Sequence, residues 1–237
     1  MNFSAEYNKF SIGLIEAITD NTNKIANDFL EKYRKHTEML SQQAKNGLSI
    51  LGYYGWYIPS LDHPVTFPAR LADELNEGNE EYVNTEMSKM IRENYKVLCK
   101  QIIVNNPNRS RILQHAFKAH KSKKYALSVP VFLTQADGIC KEITNYGLFN
   151  KENKIPKTKK YVDNLDKDEY FLSYLEPLRI LLPIIYSDDY VDENMKFNRH
   201  KILHGEDYNY DNELISLKSF SLLCYINTFL HYKSSVV

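Results

Sequence analysis

A chain of 237 residues is long enough to bury a core without disulfides or a structural metal, as one large domain or two small ones. Its 30 lysines and arginines balance 30 aspartates and glutamates, so no global field draws it to nucleic acid or an anionic membrane, and phosphate binding has to be local. Cys99, Cys140 and Cys224 are odd in number and far apart, which argues against a CxxC metal site or disulfide framework and for a reducing cytoplasm.

No basic and apolar leader is read at the start of the sequence, and no stretch reaches the roughly 18 apolar residues of a membrane span. The closest, "LRILLPIIY" from Leu178, is short, interrupted by Pro183, and reads as core. Sparse glycine and proline, with apolar residues repeating at three- and four-residue spacing, predict an all-α helical bundle. A long first helix is expected over residues 23–45, ending near Gly47, with Ile25, Phe29, Tyr33 and Leu40 as its apolar stripe. "GYYGWYIPSLDHPVTFP" then breaks helical geometry and gathers aromatics around the single tryptophan, Trp56. It reads as a buried aromatic turn, with a binding platform as the alternative.

Helices resume over 69–78 and 81–104, and "NNPNRS" from Asn105 punctuates the chain before a helix over 111–120 and a "KSKK" turn. An apolar segment follows over 125–149, with Pro130 kinking it or marking its start. Residues 150–169 are polar and lysine-rich, as in a loop. The remaining elements are a buried helix over 170–186, a shorter one over 195–205 and a last one over 212–232. A boundary near residue 108 separates an N-terminal helical region (1–108) from a second unit (109–237), unless both share one core.

The short helix holds the chemistry. "RHKILHG", residues 199–205, puts an arginine and two histidines ahead of a glycine. Gly205 suits the left-handed residue that ends a helix, which makes His204 a last-turn residue facing the negative end of the helix dipole. Histidine is the side chain suited to giving and taking protons near neutral pH, and Arg199 offers a planar fork for phosphate oxygens. At about 100° per residue, Arg199 and His204 lie roughly 140° apart around the axis, and His200 and His204 only about 40° apart. Arginine and His204 therefore meet on one phosphate only if the helix is irregular or a second copy supplies the partner.

"RHKILH" resembles the R-x4–6-H motif of the HEPN superfamily, with His200 matching the polar residue that often follows the arginine. The order of elements, two long apolar helices, the motif and a closing helix, is similar over roughly residues 122–233, about half the chain. "GWYIP", "QADGI" and "NRHKILHG" together look like a group of helical bacterial HEPN-like chains. The resemblance implies a C-terminal up-and-down HEPN-like bundle with an N-terminal helical extension, working as a homodimer without metal or other cofactor. It implies a metal-independent endoribonuclease of phage-defence or toxin systems, with an antitoxin or regulatory partner and RNA as substrate. Arg199 would polarise the scissile phosphate and His204 would transfer the proton for attack by the ribose 2′-hydroxyl, supported by Asn198 and His200.

Asp137, a lone acid on an apolar helix, is expected either to orient Arg199 or a histidine, or to mark a packing contact beside Gly138. Acid flanks the motif in "SDDYVDE" and "GEDYNYDNE"; opposing charge is available from "KENKIPKTKK" and from Lys118, Lys121, Lys123 and Lys124, which are RNA-contact candidates. Two rival readings remain. His200 and His204 share a helix face suited to zinc, with His115, His120 or His231 completing the site, although Lys201 stands where a zincin needs glutamate. Alternatively, Arg199 and His204 pair with carboxylates and close a bundle end in a non-catalytic HEPN-like module for dimerisation or for binding a nucleotide or protein.

Overall fold

The computed structural model describes residues 3–186 and 197–232, with side chains from residue 20 onward. The architecture is all-α. Six helices of ten or more residues carry it: α1 (Phe3–Tyr53), α2 (Phe67–Asn76), α3 (Glu80–Asn105), α4 (Ser110–Lys121), α5 (Tyr125–Thr144) and, closing the fold, α9 (Glu213–Leu230). Between α5 and α9 the described residues form a hairpin of two-residue strands, β1 (Lys151–Glu152) and β2 (Ile155–Pro156), and three short helices: α6 (Thr158–Val162), α7 (Glu169–Tyr174) and α8 (Arg199–His204).

The centre of the bundle is α9. Its sequence is apolar around most of its circumference, and residues 216–227 are all buried, as expected of a helix wrapped by others. Helices α5 and α3 pack along it, α4 packs on α5, and the C-terminal end of α1 packs on α2 and α7. An aromatic layer joins four of them: Phe220 of α9 lies 4.8 Å from Tyr95 of α3 and 5.3 Å from Phe132 of α5, and Phe117 of α4 lies 6.0 Å from Phe132. The buried cluster is continuous across residue 108. Side chains of α9 also bond to the first half of the chain: Thr228 donates to the Pro59 carbonyl at 2.8 Å, and Asn227 accepts from the Asn106 amide at 2.8 Å.

Three segments differ from the sequence expectation, each for a local reason. Helix α1 does not stop near Gly47 but continues to Tyr53. Gly47 serves close approach: a Cβ there would lie 2.6 to 2.8 Å from backbone atoms of Pro68 and Ala69 in α2. The expected stripe of α1 is not core, because Ile25, Phe29 and Tyr33 are 62%, 67% and 64% exposed; the buried stripe begins later, at Ala44, Leu48 and Leu51. Residues 170–186 are buried but do not form one helix. Pro177 and Pro183 open 3-10 turns at Glu176–Leu178 and Pro183–Ile185, since proline lacks the amide and crowds the preceding turn. The lysine-rich segment after α5 folds as the hairpin, turned by Asn153 and Lys154 at positive φ, followed by α6.

Other expectations hold. Trp56 is 1% exposed, its indole N–H donates to Asn84 at 2.8 Å, and the Lys218 ammonium lies 5.5 Å from its ring centroid, so residues 55–59 are a buried aromatic turn, whereas Gly52 and Tyr53 still belong to α1 and Leu61 and Val65, later in the same stretch, are exposed. Pro130 sits inside α5. Among the described residues no helix is long and apolar enough to cross a membrane.

Candidate functional site

Helix α8 is six residues long and capped at both ends by its own sequence. The Asn198 side chain accepts from the His200 amide at 2.9 Å and more weakly from Lys201 at 3.4 Å, so Asn198 is the N-cap. Gly205 takes φ 76°, and the amides of Gly205 and Glu206 return to the carbonyls of Ile202 and Lys201, the hydrogen bonding of a glycine-terminated helix. Ile202 anchors the helix in the core.

The side chains of α8 leave it in two directions. His200 and His204 meet across one turn, ring centroids 4.2 Å apart and ring planes tilted by 40°, with His204 exposed. Arg199 instead packs toward the body: its Nε donates to the Ile184 carbonyl at 3.1 Å, and its guanidinium carbon lies 4.4 Å from the Phe149 ring centroid. Burial lowers the pKa of Arg199, and the charge of Asp137 works in the opposite direction. Among the described residues no hydrogen bond or ring contact joins Arg199 to His204.

Asp137 lies behind this arrangement. Its Oδ1 accepts from the Leu148 amide at 2.6 Å, which fixes the turn that carries Phe149 beneath Arg199. It therefore acts on Arg199 through its field and through the placement of Phe149. The neighbouring Gly138 is a packing contact as well, facing the Arg109 guanidinium that is held by Gln135 and Glu142.

Acid on the C-terminal side of the motif is largely engaged elsewhere. Glu213 pairs with Arg92 at 3.0 Å, Asp211 accepts from the Ala126 amide and Asp207 from the Asn209 amide. The run at 187–193 lies outside the described residues. In the hairpin region, Lys157 and Lys160 pair with Glu152 and Lys159 with Asp163.

Three of the four lysines singled out as RNA-contact candidates, Lys118, Lys121 and Lys123, line one open cavity of about 530 Å³ between α3, α4 and the starts of α5 and α9. Lys124, exposed at the head of α5, does not line it, and no residue of α8 does. Sequence reasoning missed the other wall: Arg92, Tyr95, Lys96 and Cys99 also line the cavity. They stand at i, i+3, i+4 and i+7 of α3, the spacing of one helix face, which was the signal to find them.

The remaining histidines are placed separately. His120 is buried with Nδ1 2.8 Å from the Ser216 hydroxyl, His231 lies 3.3 Å from the Asn106 side chain, and His115 is exposed. Among the described residues no three or more His, Cys, Asp or Glu side chains form a group that could hold a metal ion. Burial pushes the Cys99 and Cys140 thiols up to about 12, so both stay protonated and poor as nucleophiles.

The arrangement holds a fixed cation at Arg199 and, one helical turn away, an exposed His204 beside a half-buried His200, a pair of side chains able to transfer protons. Comparison with protein-family models, with curated proteins and with solved structures finds no match.

Proposed function

We propose that this chain is a metal-independent endoribonuclease of HEPN type that acts as a homodimer in the cytoplasm, in phage defence or as a toxin restrained by a partner. The observation that carries the reading is α8 itself: a capped helix that presents His204 to solvent on the ring of His200, one turn from an arginine braced by Phe149 and the Ile184 carbonyl. In this reading His204 removes the proton of a ribose 2′-hydroxyl, and the 2′-oxygen attacks the adjacent phosphorus. The bond to the 5′-oxygen breaks and that oxygen takes up a proton, from the imidazolium or from water, leaving a 2′,3′-cyclic phosphate and a 5′-hydroxyl. An arginine stabilises the charge on the phosphoryl oxygens.

The divergent directions of Arg199 and His204 support a site completed by a second copy, whose Arg199 faces the first copy's His204 across a two-fold axis. The exposed stripe of Ile25, Phe29 and Tyr33 on α1 supports dimerisation too, because a second α1 would cover it.

One observation favours a second reading. Arg199 already has a ring face and a carbonyl as partners, which suits a structural brace in a non-catalytic module for dimerisation or for binding a nucleotide or protein. Incubation of the wild type and His204→Ala with total RNA and tRNA in EDTA separates the two. The nuclease leaves cyclic phosphate ends, and the variant is slower by about a hundredfold or more. Cleavage that persists in the variant, or none by a folded wild-type dimer, selects the module. Light scattering of Phe29→Lys/Tyr33→Lys is expected to show monomers; an unchanged dimer would remove α1 from the interface.

A further inference from the structure

We propose that the cavity between α3 and α4 binds a nucleoside phosphate, at a site separate from α8 and independent of the reading given to α8. Its inner wall is built of aromatic rings packed on one another, of which Tyr95 and Tyr125, both half-buried, keep surface toward the cavity. Tyr95 and His120 stack at 5.1 Å, and Tyr125 stands edge-on to His120 at 5.6 Å. The Tyr95 hydroxyl is turned to the Phe117 carbonyl at 3.2 Å. His120 is tied through Nδ1 to Ser216, and its burial favours the neutral ring.

The rim is cationic. Lys96, Lys118, Lys121 and Lys123 are exposed at the cavity edge, and none makes a salt bridge among the described residues. Glu213, the one carboxylate among the described lining residues, is hydrogen-bonded to Arg92. Its pKa is lowered, first by the hydrogen bond from that arginine and further by the charge of Lys123.

A neutral apolar ligand would leave the cations without partners, and a bare phosphate would leave the open parts of Tyr95 and Tyr125 uncovered. A flat base carrying one or more phosphates uses both, by stacking and cation–π contact inside and by charge-assisted hydrogen bonds at the rim. The volume of about 530 Å³ lies within the roughly 300–1,000 Å³ usual for small-molecule sites. The same chemistry is offered by a free nucleotide and by the 5′-phosphorylated end of an RNA strand.

Calorimetric titration of the full chain carrying His204→Ala, so that no strand is cut, tests the site with AMP, ATP, pyrophosphate and 5′-phosphorylated hexaadenylate. Binding of AMP or ATP identifies a free nucleotide as the source; binding of the hexamer alone identifies a strand end. In either case Lys118→Glu/Lys121→Glu, and separately Tyr125→Ala, should weaken binding at least about tenfold, the loss of one stacking or ionic contact, with unchanged circular dichroism and Tm. The proposal is overturned if no nucleotide probe binds the folded protein, if pyrophosphate binds as tightly as ATP, or if the lysine variant retains full affinity.

Discussion

Burial lowers the pKa of His63 and of His120, favouring the neutral ring in each. In each the unfolded chain binds the proton more tightly than the folded one. Stability is therefore full above the ordinary histidine range and is lost as the pH falls from there through the lowered folded values. In His120→Phe the aromatic stack is kept, and the Ser216 hydroxyl retains Ser128 at 2.8 Å. Its Tm should drop less than that of the wild type between about pH 7.5 and about pH 5, either side of the histidine reference value. Equal drops would place the acid sensitivity elsewhere. At this scale the sequence shows which residues carry chemistry but not what they face. The cap of α8, its glycine and the His200–His204 pairing follow from local spacing. The seat of Arg199 on Phe149 and Ile184, and the reach of Asp137 to Leu148, depend on segments 11 to 50 residues away along the chain, for which no local pattern exists.

Among the elements, two glycines with different duties separate close approach from backbone conformation. Gly47→Ala drives a methyl group into the backbone of α2 and should cost about 3 kcal/mol, the upper range for overpacking. Gly205→Ala meets no neighbour within 4 Å and only strains a left-handed residue, for about 1 kcal/mol. For a chain of this size 1 kcal/mol moves Tm by about 2–4 °C, so thermal melts should rank the two clearly. Similar shifts would mean that α2 yields freely. Long periodic helices are legible because burial imposes their spacing over many turns. Gly47 misleads because a glycine that ends a helix and one that admits a neighbour look alike in sequence. Residues 170–186 mislead because apolarity records their burial, while Pro177 and Pro183 decide their backbone.

At the scale of the molecule, α9 is covered from both halves of the chain: Trp56 abuts Lys218, Asn106 bonds to Asn227 and Tyr95 packs on Phe220, each across residue 108. A fragment of residues 109–237 would expose the α3 side of α9 and leave Phe220 without Tyr95. It should show no cooperative melt, whereas the full chain should unfold in one transition seen alike by Trp56 fluorescence and far-ultraviolet circular dichroism. A fragment melting cooperatively near the full chain's Tm would show that the second half is a domain in its own right. The all-α class is legible from the punctuation of the sequence; the sharing of a core is not, since it depends on which helices meet. Helix α1 adds a property that no packing contact describes. Its 51 residues measure about 77 Å at about 1.5 Å per residue, whereas a compact chain of this length has a radius of gyration of about 18 Å. The particle should tumble slowly and unevenly, with more friction than its mass implies, and its X-ray scattering should show a distance distribution with a long, thin tail.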